Sequence, residues 1–356
     1  MMWRGMKIAQ IAPLMESVPP KRYGGTERVV SYLTESLVRL GHEVTLFASS
    51  DSRTAARLVG CAASGLRLAP RVSDPLPHLL LMLERVLPQA REFDVLHFHT
   101  DHMHLPLFRK LAHKVVTTVH GRLDLPELAE LYRCYGDMPL ISTSNSQREP
   151  VKRARWLATV YHGLPASVCS FTAVPAGDYF AFLGRISPQK RPDRAMRIAE
   201  LAGVPLRMAA KVDAADEAYF RTVVRPRLKP PRISLVGELT EKDKPGFLGN
   251  AKALIFPIDW PEPFGLAMIE AMSCGTPVIA WDNGSVREIV EHGVTGFIVH
   301  SVAQAVSAVR EVSRLDRRRV RQRFEARFTA ERMAHDYLLA YRRLVSRPVL
   351  AVALQL

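Results

Sequence analysis

The residues best suited to chemistry lie in one run of twenty, from Pro261 to Ala280, PEPFGLAMIEAMSCGTPVIA. The run reads as a loop, a short helix, a glycine stop at Gly275 and a buried strand, with Pro277 forbidding helix continuation. Glu262 precedes the helix and Glu270 lies within it. Gly265 and Leu266 fall at its N-terminus, where unsatisfied N–H groups and the helix dipole suit a phosphate. Glu270 could accept two hydrogen bonds from a vicinal diol, such as a ribose. The same pattern also fits an amphipathic helix with one solvated glutamate and a second favoured by the dipole.

Three further segments carry candidate groups. In Phe182 to Pro192, FLGRISPQKRP, Arg185 and Lys190 stand five residues apart on a loop entering a helix. Two cations so placed could clamp a diphosphate as it leaves a sugar, or could be solvated loop charges. In Tyr23 to Glu27, YGGTE, paired glycines before a helix permit close backbone approach to a ligand, and Thr26 equally suits a helix N-cap. In Thr118 to Gly121, TVHG, His120 ends a strand, a place where a lone histidine is more often structural. His97, His99, His102 and His104 suggest a metal at first glance, but they lack a matching carboxylate pattern, so no metal is expected. No phosphate loop of the GxxxxGK[ST] type, GxGxxG fingerprint, HExxH, GxSxG or Asp-x-Asp pair occurs in the chain.

The elements that must position these groups alternate between strand and helix. Strands are expected at residues 7–12, 43–48, 94–98, 114–119, 140–143 and 158–161, with helices at 26–40, 76–89 and 105–113. A second pass has strands at 179–183 and 206–210 and further short apolar runs bounded by turn residues at 233–236, 254–257 and 278–281, with helices at 192–202, 301–314 and 330–344. Such alternation implies parallel sheets covered on both faces, an α/β class with two doubly wound, Rossmann-like units. The irregular stretch 169–177 is the candidate linker. This divides the chain into 1–168, 169–329 and a closing helix at 330–356. Ligands of such sheets bind outside the carboxyl ends of the strands, so a site drawn from both halves is expected.

Composition narrows the partners. The chain has 356 residues, 47% of them hydrophobic, enough for two domains. It carries 49 Lys+Arg against 35 Asp+Glu, a net charge of +14 that favours anionic partners. Of the basic residues 38 are Arg and 11 Lys, a bias that a GC-rich genome also produces. The basic excess is spread along the chain with no aromatic-interleaved strand or zinc finger, so nucleic acid is not the expected partner. Four scattered cysteines suit a reducing cytoplasm. Residues 1–7 lack the apolar run of a secretory signal, the tail 348–356 is too short to span a bilayer, and no apolar stretch reaches about 18 residues.

Taken in order, GGTE, TVHG, GRISPQK, EPFGLAMIE with seven residues between its glutamates, and GSVREIVEHGVTGFIV resemble glycosyltransferase family 4, retaining enzymes of the GT-B fold. The resemblance spans nearly the whole chain. It implies two Rossmann-like domains facing a central cleft and a C-terminal helix, bearing Tyr337 and Tyr341, that crosses back onto the first domain. It gives Arg185 and Lys190 the donor diphosphate, Glu270 the ribose hydroxyls, and Glu262 the donor sugar hydroxyls, with Gly265 and Leu266 supplying backbone N–H groups. It turns His120 toward the donor sugar and sets Gly25 against the phosphates. Base selection falls to the loop near Gly237 and Glu238. Glu27, His99 and Asp101 are candidates for the acceptor side, fixed by no motif. Two departures occur: Arg191 stands where glycine often follows the loop lysine, and His162 where asparagine is common.

The function implied is transfer of a hexose, with retention, from a nucleoside diphosphate sugar of the UDP-glucose or GDP-mannose kind to an acceptor hydroxyl. The nucleotide sugar is a co-substrate, and neither cofactor nor metal is expected. A GT-B glycan phosphorylase and a basic nucleic-acid-binding protein are the alternatives. The acceptor is left open among small molecules, glycans and lipid-linked sugars. Arginine-rich stretches at 148–155 and 317–327 could touch an anionic membrane leaflet, which would put a cytoplasmic protein at the inner membrane surface.

Overall fold

The computed structural model describes residues 5–21, 24–69 and 72–346. The first four residues, Tyr23 of the YGGTE segment and the apolar tail 348–356 lie outside the described residues. The chain divides into two compact units. Among described residues, the first comprises those up to Thr143, Arg148–Tyr161, and those from Glu331 on. The second comprises Ser144–Gln147 and His162–Ala330.

The first unit is built on seven parallel strands: β1 (Lys7–Ile11), β2 (Glu43–Ser49), β3 (Arg57–Ala62), β4 (Val95–Phe98), β5 (Val115–Thr118), β6 (Leu140–Ser142) and β7 (Trp156–Thr159). Their order is β3-β2-β1-β4-β5-β6-β7. Ile8 on β1 pairs with Val44 on one side and Val95 on the other. The inner strands are apolar runs because helices cover both faces. Gln10, Thr117 and Thr118 are buried exceptions. The second unit has six strands: β8 (Phe180–Ile186), β9 (Leu206–Val212), β10 (Ile233–Gly237), β11 (Leu254–Phe256), β12 (Val278–Trp281) and β13 (Gly296–Val299). Their order is β10-β9-β8-β11-β12-β13, again all parallel. Each unit has its own apolar core, around Phe47, Phe98 and Phe108 in the first and Phe182, Met196 and Ile255 in the second.

Most expected strands lie within two residues of an observed one. β3 and β13 are not anticipated: β3 is a half-exposed edge strand interrupted by Gly60, and β13 has four residues. The first helix runs Gly25–Arg39 with Gly24 at its N-cap and no side-chain cap, so Thr26 is not the cap. A Cβ on Gly24 would lie 2.7 Å from the Pro20 side chain. The turn therefore closes at the glycine and leaves Thr26 inside the helix. Gly275 is the expected stop. It has φ +80°, its N–H donates to the Met272 carbonyl at 2.9 Å, and that of Thr276 donates to the Ala271 carbonyl at 2.9 Å. These are the two bonds of a Schellman motif.

The arginine-rich stretch at 317–327 is a helix, Arg317–Arg327, and much of its charge turns inward. Arg317 donates to the carbonyls of Thr172 (2.8 Å), Ala251 (3.0 Å) and Gly249 (2.8 Å) and to the Thr276 hydroxyl (2.7 Å). Arg321 donates to the carbonyls of Cys169 (2.9 Å), Ala166 (2.9 Å) and Ser273. These side chains fasten the irregular stretch at 166–172, whose carbonyls no sheet satisfies. Arg323 and Arg327 both face Glu291. Among the described residues no helix is long and apolar enough to cross a membrane.

Candidate active site

The second sheet reverses its strand order between β8 and β11. The candidate groups of this unit collect past the carboxyl ends of those strands, where parallel sheets bind ligands. Arg185 is the penultimate residue of β8, and Lys190 is in the loop between β8 and the Pro192–Ala202 helix. The loop after β11 is tied to it by the Asp259 N–H donating to the Gln189 carbonyl at 2.8 Å. That loop brings Glu262 onto Lys190, whose ammonium donates to Glu262 Oε2. Trp260 Nε1 donates to the same oxygen at 2.9 Å. The ammonium also lies 5.0 Å from the centre of the Trp260 ring and 5.8 Å from that of Phe256, within cation–π reach.

Arg185 is held more loosely. Its guanidinium lies 3.3 Å from Asp216 and 3.6 Å from Asp213, and its Nε is buried without an aligned hydrogen bond. Arg191 donates to Asp193 at 2.9 Å and to Asp259 at 2.7 Å, which raise its pKa, the hydrogen bond to Asp193 contributing most. Gly265, with φ +83°, caps the Leu266–Ser273 helix and packs on Glu262. Glu270 is buried on that helix and accepts from Lys244 Nζ at 3.0 Å. Lys244 is shared with Glu241 at 2.7 Å. Gly237 ends β10 at φ +84°, and Glu238 follows it on the exposed loop.

The first sheet reverses between β1 and β4. Gly25 follows β1, His99 and Asp101 follow β4, and His120 follows β5. The structure brings three of these together. His120 Nε2 is 2.9 Å from His99 Nδ1, and the His120 N–H donates to Asp101 Oδ1 at 3.3 Å. Burial pushes the His120 pKa down to about 3 and the Asp101 carboxyl up. Asp101 adopts φ +50°, a strained conformation that aspartate tolerates better than most residues. Glu27 is placed apart from them. It is buried in the first turn of its helix, where burial raises its pKa, beside the Glu16–Arg67 ion pair.

The histidine cluster is explained by hydrogen bonding. His97 Nδ1 lies 2.7 Å from the Tyr341 hydroxyl and Nε2 2.7 Å from Thr118 Oγ1. His104 stacks on Phe98, with ring centres 3.8 Å apart, and its Nε2 lies 2.7 Å from Thr117 Oγ1. Among the described residues, no group of three His, Cys, Asp or Glu side chains is arranged to hold a metal ion.

Two family models match along the chain. Residues 173–328 match glycosyl transferases group 1, and residues 23–169 match Glycosyltransferase Family 4. The chain belongs to family 4. A D-inositol 3-phosphate glycosyltransferase of Mycobacterium tuberculosis is 33% identical over 178 residues, covering 46% of this chain and 37% of that protein. The match thus spans little more than a third of the curated relative's length. Sucrose-phosphate synthase from Thermosynechococcus elongatus superposes with a TM-score of 0.76 at 20% identity, over 95% of this chain and 99% of that one. HepE of Anabaena, solved in complex with UDP-glucose, gives 0.71 at 16% identity, over 94% and 98%. The two parallel α/β sheets of this family 4 chain are thus of the GT-B type.

Several groups in this family 4 chain escape the sequence reading. Lys244 faces Glu270 from 26 positions away, and Asp213 and Asp216 face Arg185 from the segment that follows β9. Gly284 and Ser285 clamp the glutamate loop. The Ser285 N–H donates to the Glu262 carbonyl at 3.0 Å and its hydroxyl to the Phe264 carbonyl at 2.7 Å. A Cβ on Gly284 would fall 2.3 Å from the Glu262 nitrogen, so only glycine lets the two loops meet. The conspicuous Glu288 of the same segment accepts from the N–H groups of Asn145 and Ser146 at 2.7 and 2.8 Å, a local backbone clamp. Gln10, which the sequence reading also passes over, had a signal: it is a glutamine inside an apolar strand.

Proposed function

We propose that this family 4 chain is a retaining glycosyltransferase that moves a hexose from a nucleoside diphosphate sugar to an acceptor hydroxyl. The observation that carries the reading is Lys190 and Glu262 meeting at the strand-order reversal, with Arg185 on the adjoining strand end. Cations there can take the charge that develops on a departing diphosphate, in surroundings poor enough in water to strengthen the interaction. Glu262 holds sugar hydroxyls as well as Lys190. Glu270 holds the ribose diol, with Lys244 orienting its carboxylate. Gly265 and Leu266 supply N–H groups at the start of an eight-residue helix.

In the transfer, the bond from the anomeric carbon to the diphosphate oxygen breaks and a bond to the acceptor oxygen forms on the same face. The acceptor's proton passes to an oxygen of the leaving diphosphate. His120, kept neutral by burial, serves the donor sugar as a hydrogen-bonding group rather than as a charge. The loop at Gly237 and Glu238 reads the base. The reaction needs no metal in this reading, because Arg185, Lys190 and helix N–H groups neutralise the leaving group. A UDP-hexose is the favoured donor, given the UDP-glucose bound by the HepE neighbour.

A thermal-shift panel of UDP- and GDP-sugars tests the binding half of this reading, since a ligand of the folded state stabilises by mass action. One of the nucleotide sugars should raise the melting temperature in the wild type and fail to do so in the Arg185→Ala, Lys190→Ala double variant. No shift with any sugar nucleotide, or an equal shift in the double variant, would count against it.

A further inference from the structure

Gln10 sits fully buried in the middle of β1. Its amide oxygen lies 2.7 Å from His99 Nε2, and its amide nitrogen donates to the Tyr341 hydroxyl at 3.1 Å. An amide oxygen only accepts, so His99 Nε2 carries the proton. In the neutral ring Nδ1 is then the acceptor, and that atom faces His120 Nε2. His120 therefore donates from Nε2 and keeps Nδ1 as its acceptor atom. The same direction continues on the far side of Gln10. The Tyr341 hydroxyl, having accepted from the amide, donates to His97 Nδ1. His97 Nε2–H then donates to Thr118 Oγ1, which lies 3.0 Å from the Tyr337 hydroxyl.

We propose that Tyr341 and Gln10 are positioning residues, which through His99 fix His120 in the tautomer that donates from Nε2. The two phenols lie on the C-terminal helix, Ala330–Val345, far along the chain from the strands they serve. The opposite tautomer requires the Gln10 amide to turn over. With Tyr341 present, the amide cannot turn alone, because Tyr341, His97 and Thr118 must reverse with it. Removing the phenol hydroxyl cuts this coupling and leaves the amide free to turn. The relevance to sugar transfer rests on the role proposed above for His120; the tautomer itself does not.

The test is a long-range proton–nitrogen correlation spectrum of the full chain with 15N-labelled histidine, the His120 signals being assigned from a His120→Ala variant. Wild-type His120 should show the Nε2–H pattern alone, and Tyr341→Phe should show a mixture of tautomers. Leu344→Ala loosens the same helix from its buried face without touching a hydroxyl, and should leave the pattern pure. Where UDP-glucose is turned over, Tyr341→Phe should lower kcat with the donor KM unchanged. A wild-type His120 protonated on Nδ1, a pure Nε2–H pattern in Tyr341→Phe, or equal mixing in Leu344→Ala would each overturn the proposal. Undiminished turnover by His120→Ala would instead remove the sugar-contact role and leave the tautomer result standing.

Discussion

The polar cluster of the second unit is made of charges; that of the first is a chain of uncharged groups with one carboxyl, Asp101, beside it. The charged cluster lies past strand ends beside one reversal of strand order; the neutral one runs from His120 and His99, beside the other reversal, back into β1, β4 and β5. In the second, Lys190 meets Glu262, Lys244 meets Glu270, and Arg185 faces Asp213 and Asp216. In the first, imidazoles, hydroxyls and one amide are joined end to end. Burial pushes the pKa values of His104 and His120 to about 3, takes His97 well below the usual range, and raises the phenols of Tyr337 and Tyr341. The lesson is one of division of labour. Charge held at a strand end can follow a charge that changes during a reaction. A buried neutral chain fixes direction and tautomer, and does so at little desolvation cost.

The largest effect should come from the charged side. Lys190→Ala should lower kcat by about 10²–10³, or ~3–4 kcal/mol of transition-state stabilisation, in steady-state turnover of the nucleotide sugar. A loss below about fivefold, ~1 kcal/mol, would break the contrast between the units. Arg317 sharpens it, being a charge of the same unit that serves structure. Arg317→Ala leaves three carbonyls without their donor and should cost about 2–3 kcal/mol in urea unfolding. Nucleotide-sugar affinity should hold, and a selective loss of affinity at full stability would contradict that role.

The neutral side should show itself in acid. The folded pKa of His104 lies far below the unfolded value, so above about pH 6.5 both states are neutral and the stability is fully present. As pH falls from there toward 3, the unfolded state takes up the proton and the folded state does not. Stability then declines by ~1.4 kcal/mol per pH unit for each such histidine. His104→Gln removes one such proton, so unfolding free energies at pH 7, 6 and 5 should fall less steeply than in the wild type. Parallel slopes would show that His104 is not held neutral by folding. The smallest effect belongs to the loop clamp: Ser285→Ala should cost about 1 kcal/mol, the worth of its bond to the Phe264 carbonyl. A stabilised variant would mean that the clamp strains the loop.

Local pattern carried much of this into view. The α/β class with two doubly wound units, the glycine stop at Gly275 and the loops bearing Arg185, Lys190, Glu262 and His120 follow from local pattern, and the GT-B type from the family resemblance of the ordered motifs. Contacts made across sequence distance do not. Lys244 is an ordinary surface-type lysine until the fold sets it on Glu270, and nothing near Arg185 announces Asp213 or Asp216. The bond between Gln10 and Tyr341 spans 331 positions. Helix starts are equally elusive where steric fit decides them, as at Gly24, where contact with Pro20 sets the first turn ahead of Thr26.

The central claim is transfer from a nucleoside diphosphate sugar with the configuration kept. The most direct measurement is proton NMR of the anomeric signal formed when the full chain meets UDP-glucose or GDP-mannose with a panel of hydroxyl acceptors. The account predicts release of the nucleoside diphosphate and a product anomeric coupling of the same type as in the donor. An inverted anomer, or no nucleotide release from either donor with any acceptor, would contradict it.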